Sequence, residues 1–154
     1  MSLKKRLAAG ALSLSAAGLL AIASYEGYRG EAYIPVPGDV PTIGFGSTEG
    51  VKMGDKITVP HALERLNRDV GKAESAIGTC VTVPLTQGEY DAYTSFAYNV
   101  GTKAFCTSTL VRKLNSGDYE GACSELKRWV YAGGRKVDGL VKRREKEYAM
   151  CVGR

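Results

Sequence analysis

The chain has 154 residues, 44% apolar and 24% charged, with a net charge of +5, one histidine and four cysteines. This balance is that of one ordinary globular domain, large enough to bury a real core. A lone histidine and cysteines without CxxC spacing leave no metal or cofactor site to expect.

The positive charge favours an anionic partner such as anionic lipid or a carboxylate-rich wall polymer. Nucleic acid is not an expected partner. The basic residues are scattered, and there is no zinc-finger spacing, glycine-rich phosphate loop or RNP-like aromatic motif.

Lys4-Lys5-Arg6 precede an alanine-, serine- and glycine-rich apolar segment, residues 7–24. As a helix it would span roughly 27 Å, just short of the ~30 Å hydrocarbon core. The basic flank should stay in the cytoplasm. Three fates compete: a cleaved signal peptide, with Ala21-Ile22-Ala23 as an A-x-A site; a permanent anchor, for which the segment is poorly apolar; and a marginal anchor that leaves the bilayer and refolds. Cleavage after Ala23 would put Glu26 beside a frayed terminus, and a catalytic acid needs fixed geometry. Retention is therefore expected, with residues 7–25 as the helix that supports Glu26.

Glu26 to Gly46 reads as a helix end, a proline- and glycine-bent hairpin and a short strand. Strands are expected at 32–34 and 42–46, around the turn at Pro35, Pro37 and Gly38. The layout can set a carboxylic acid on one wall of a cleft and Asp39 with Thr42 on the other. Glycosidic cleavage needs such a pair: an acid to protonate the leaving oxygen and a base to activate water. Glu26 is the candidate acid, Asp39 the base and Thr42 the hydroxyl that positions water. Arg29 and Arg144 are candidates to orient Glu26. Taken singly, each is an ordinary residue: Glu26 a surface glutamate, Asp39 a turn former, Thr42 a strand former. Carboxyls about 6.5–9.5 Å apart would invert the anomeric centre, and at about 5–5.5 Å they would retain it.

Val51–Val59 continues an irregular, glycine-broken region. Thr58 and Pro60 signal a helix start, and Leu63, Leu66, Val70, Ala73 and Ile77 mark one apolar stripe along it. Thr86-Gln-Gly-Glu89 is a capping box, opening a helix with Tyr90, Tyr93 and Phe96 that ends near Gly101. A helix at Leu110–Leu114 closes at Gly117. Asp118 caps another through Cys123, Leu126 and Trp129. Gly133-Gly134 breaks the chain before a last helix, Leu140 to Cys151. Sheet elements come early and helices late, so the class is α+β.

The cysteines, behind an export-like N-terminus, predict two disulfides. Three connectivities exist. Cys80–Cys106 with Cys123–Cys151 is the favoured one, because Cys123 and Cys151 fall on predicted helices and their bridge would pin the C-terminus.

Glu26-Gly-x-Arg29, Tyr33 and Thr42-Ile-Gly-x-Gly46 resemble the phage-type lysozymes of glycoside hydrolase family 24. The likeness continues through Pro84-Leu-Thr-Gln87, Ser95-Phe-Ala-Tyr-Asn-Val-Gly101, Ser108-Thr-Leu110, Leu114-Asn-x-Gly-Asp118, Arg128-Trp129 and Gly139-Leu-Val-x-Arg143-Arg144-Glu145. The N-terminus is similar to that family's signal-anchor-release endolysins. The resemblance implies a lysozyme-like fold, with a hairpin lobe at about 26–59 and a helical lobe at about 60–154 around a cleft. It implies that Glu26 is the general acid and Thr42 a catalytic-site hydroxyl. It further implies export through the host secretion system, transient tethering to the inner membrane, and a periplasmic monomer that cuts peptidoglycan for host lysis. While residues 7–24 sit in lipid they cannot support Glu26.

The chain departs from the family pattern at the base. The family's acid falls where this chain has Pro35, and the segment to Thr42 is one residue longer. Asp39 is the nearest acid, with Glu31 a second candidate. Two other functions are weighed: a lytic transglycosylase, which needs no base and leaves a 1,6-anhydro end, and a non-enzymatic wall-binding module, which would release no soluble fragments.

Overall fold

A computed structural model describes residues 4–154. It is α+β, with eight helices and two small antiparallel hairpins among the described residues. The chain falls into two compact units: residues up to Ser15 with Lys72–Arg154, and Ala16–Gly71.

The smaller unit opens with α1, Ala16–Glu26. Gly27 follows, its N–H donating to Ala23 O at 3.2 Å, and the chain turns into β1, Arg29–Tyr33. β1 pairs with β2, Thr42–Gly44, through a register irregularity. Its other edge bonds residues 55–57, with Ala32 N–H to Asp55 O at 3.0 Å and Ile57 N–H to Gly30 O at 2.9 Å. Ala32, Ile43 and Val51 bury together against Ile57. α2, Val59–Asp69, starts after Thr58 with proline in its first turn, where a missing N–H costs nothing.

The expected stripe from Leu63 to Ile77 is carried by two helices, α2 and α3 (Gly71–Cys80), with Val70 as a turn between them. Leu66, Val70, Ala73 and Ile77 are buried.

The larger unit is built on α4, Gln87–Val100, whose capping box is complete: Glu89 N–H to Thr86 Oγ1 at 3.1 Å and Thr86 N–H to Glu89 Oε2 at 2.8 Å. Around it lie α5 (Thr102–Cys106), α6 (Thr109–Asn115), α7 (Tyr119–Glu125) and α8 (Asp138–Val152). Tyr93, Phe96, Phe105, Leu110, Leu114 and Leu126 fill the core. Asp118 caps α7 through Gly121 N–H at 2.9 Å. Leu126–Arg128 tighten into a 3-10 turn, so the expected helix through Trp129 stops early. Disulfides join Cys80 to Cys106 and Cys123 to Cys151.

Gly133-Gly134 link a second hairpin, β3 (Tyr131–Ala132) and β4 (Arg135–Lys136), so sheet is not confined to the early part of the chain. A two-residue Gly-Gly loop matches the twist of paired strands.

The continuous helix expected over 7–25 is not formed. Only Ala16–Glu26 is α-helical; residues 9–11 make one 3-10 turn, and the rest of 7–15 is a strap on the larger unit. Apart from the turn itself, where Ala11 and Leu12 N–H donate to Ala8 O and Ala9 O at 2.9 and 3.3 Å, several of the strap's backbone groups are taken by residues distant in sequence. Leu7 and Leu85 exchange both backbone bonds, at 2.8 and 2.7 Å. Leu14 N–H donates to Glu74 Oε1 at 2.7 Å, and Ser15 N–H to Asp91 Oδ1 at 3.0 Å. Arg6 bonds Glu89 at 2.8 Å and lies 3.6 Å over the Tyr119 ring. Alanine propensity loses here to specific acceptors, as tertiary contacts routinely override it.

Candidate active site

The three sequence-derived site residues all lie in the smaller unit. Glu26 is the last helical residue of α1 and is half-buried. Its Oε2 faces Gly46, and a Cβ built on that glycine would stand 3.8 Å from it. The glycine run after β2 therefore brings bare backbone to the Glu26 carboxylate.

Thr42 opens β2 and is buried at 6% exposure. Its hydroxyl donates to Val40 O at 3.2 Å. Asp39 lies in the exposed hairpin loop, its N–H bonded to Val36 O at 3.0 Å. Its carboxylate has no hydrogen-bond or ion-pair partner among the described residues. Thr42 is thus held within the hairpin, whereas Asp39 is free to reach solvent. Glu31 is exposed on β1, bridged through its backbone to Lys56.

Arg29 is exposed, its guanidinium 4.2 Å over the Tyr33 ring. Arg144 is 1% exposed on α8 and sits in a buried charge network of the larger unit. It donates to Glu147 Oε2 at 2.6 Å, to Trp129 O at 3.0 Å and to Asn99. Arg143 donates to Glu147 Oε1 at 3.1 Å and to Ser95 O at 3.1 Å, and Ser95 Oγ donates to Glu147 Oε1 at 2.6 Å.

Sequence reading stopped at the Arg143-Arg144-Glu145 run and missed Glu147, the buried hub. Helical spacing was the available signal, since Glu147 lies at +4 and +3 from the two arginines, on their face of α8. Glu145 is exposed. Elsewhere in the larger unit Lys113 bonds Glu125 at 2.7 Å and, with Arg128, holds that carboxyl below its usual range.

The α+β fold, with a helix that ends on a glutamate ahead of a hairpin and a glycine loop, is lysozyme-like, as its solved structural neighbours show. The sequence profile of the Phage lysozyme family matches residues 23–147. An endolysin of Acyrthosiphon pisum secondary endosymbiont phage 1 is 41% identical over 143 residues, covering 90% of this chain and 97% of the relative. A SAR-endolysin of Enterobacteria phage PA-2 is 35% identical over 158 residues, covering 98% and 96%. The muramidase domain of SpmX from Asticaccaulis excentricus superposes with a TM-score of 0.84 at 30% identity, covering 91% of this chain and 97% of that one. The chain belongs to the phage lysozyme family and is a lysozyme-type glycosidase.

Proposed function

We propose that the protein is a phage endolysin that hydrolyses the β-1,4 bond after N-acetylmuramic acid in peptidoglycan, with Glu26 as general acid. The observation that carries this reading is the Glu26 carboxylate at the end of α1, with the Gly46 backbone against it. A general acid must hold its proton and meet the leaving oxygen without intervening side chains. Bare glycine leaves room for a sugar beside the carboxyl.

Asp39 is proposed as the base that activates water, and its unpartnered, exposed carboxylate is available for that. Thr42, three residues further on and buried, is the proposed positioning hydroxyl. The product is the test. A reducing muramic acid end is expected. A 1,6-anhydro end would replace hydrolysis with transglycosylation and make Asp39 dispensable.

The protein is further proposed to act as a periplasmic monomer, delivered by residues 1–25 as a signal anchor ahead of a lysozyme domain at 26–154. The support is the full-length likeness to a SAR-endolysin and the marginal apolarity of residues 7–24. Among the described residues no helix is long and apolar enough to cross a membrane. In the folded form the segment serves instead as the strap and α1. Release without cleavage predicts that protein recovered from the periplasm has the intact mass of the full chain. Loss of residues 1–23 would contradict it.

A further inference from the structure

We propose that Asp69 is a positioning residue for the reaction, acting through Ser47 to hold Gly46 against Glu26. The proposal rests on Glu26 as the general acid.

The loop after β2 is a small closed unit. Ile43 and Ser47 exchange both backbone bonds, Ile43 N–H to Ser47 O at 2.9 Å and Ser47 N–H to Ile43 O at 3.0 Å. Only Gly44, Phe45 and Gly46 lie between them. Gly44 has φ +65° and Gly46 φ +92°, a region that L side chains rarely enter. Such a backbone is not held by local preference alone, because glycine also has the most unfolded freedom to lose. Something outside the loop must fix it.

α2 is that support. Three of its residues, Ala62, Arg65 and Asp69, meet the loop region and share one helical face. Gly44 lies so close to Ala62 that a Cβ there would come within 2.9 Å of the alanine Cβ. Arg65 donates to Glu49 O at 2.5 Å, just past the loop. Ser47, 2% exposed, donates its hydroxyl to Asp69 Oδ2 at 2.5 Å. Of the three, Asp69 alone grips a residue that closes the loop.

Helix stability does not account for Asp69. It is the last residue of α2, where a carboxylate meets the negative end of the helix dipole. Aspartate is also a weak helix former. Its bond to a buried serine explains what the helix end does not. A buried hydroxyl on a carboxylate is a charge-assisted bond, stronger and more directional than a neutral one. Loss of that bond frees Ser47, then the Gly46 backbone beside Glu26. Small displacements at a reacting centre have large kinetic effects.

The test is a set of full-length variants assayed for peptidoglycan solubilisation well below each variant's own melting temperature. Ser47→Ala and Asp69→Ala should each lower kcat about tenfold, with KM changed less than about twofold. The double variant should lose no more than the worse single, because both break one bond. Asp69→Asn keeps an acceptor for Ser47 and should recover most of kcat, even if Asp69→Ala folds poorly.

Wild-type kcat in Ser47→Ala, or fully additive losses in the double variant, would overturn the proposal. So would an Asp69→Asn variant that folds but is as slow as Ser47→Ala. Glu26→Gln, run alongside, separates the two readings. If it is inactive and Ser47→Ala is unimpaired, only the positioning role fails. If Glu26→Gln is active, the general-acid reading fails and this proposal with it.

Discussion

Glu26→Gln is expected to lower peptidoglycan cleavage by about a thousandfold while leaving the fold intact. General acid catalysis contributes ~10²–10⁴ in rate, and a thousandfold is about 4 kcal/mol of barrier. The amide has nearly the shape of the carboxyl but cannot deliver a proton to a leaving alkoxide. Glu26 closes α1 at the helix end, half-buried, so the swap removes no core packing. The melting temperature should therefore move little. Turbidity loss of a peptidoglycan suspension gives the rate, and thermal unfolding gives the control. Lysis near the wild-type rate would refute the assignment.

The second large effect is on stability. Glu147→Gln should destabilise the protein by about 3–5 kcal/mol, the usual result of removing one partner from a buried ion cluster. Glu147 is 0% exposed and receives Ser95, Arg143 and Arg144. Arg143 and Arg144 are themselves buried, at 6% and 1%. Without the carboxylate, Arg143 and Arg144 lose the charged acceptor they share in a poorly solvating interior, and a neutral amide takes its place.

For a chain of this size the expected fall in melting temperature is roughly 10 °C. Glu145→Gln, two residues before it in α8 and exposed, should change stability by less than about 0.5 kcal/mol. Equal melting temperatures for the two variants would show that the network is not a stabilising hub.

Local chemistry made much of the fold legible. The Thr86–Glu89 box and the Asp118 cap are written in four adjacent letters each, and both form as read. The α+β class followed from strands crowded before Val59 and helices after it. Non-local partners were not legible. The strap at 7–15 departs from helix because Leu85, Glu74 and Asp91 claim its backbone, and none of these is near it in sequence. Ser47 and Asp69 are likewise separate letters until α2 folds back on the loop.

At the candidate site, Glu26 and the Gly44–Gly46 run could be picked out because a helix end and paired glycines leave a local trace. Asp39 could be named only as the nearest acid. Its place in an exposed turn, with Thr42 bonded back to Val40, is set by the hairpin bulge and not by spacing.

The most direct measurement is a structure of the Glu26→Gln protein with a bound peptidoglycan oligosaccharide. The glycosidic oxygen of the scissile bond should lie about 3 Å from the side chain at position 26, within hydrogen-bond reach. A sugar chain bound with every glycosidic oxygen beyond such reach, or seated on another face of the protein, would contradict the account.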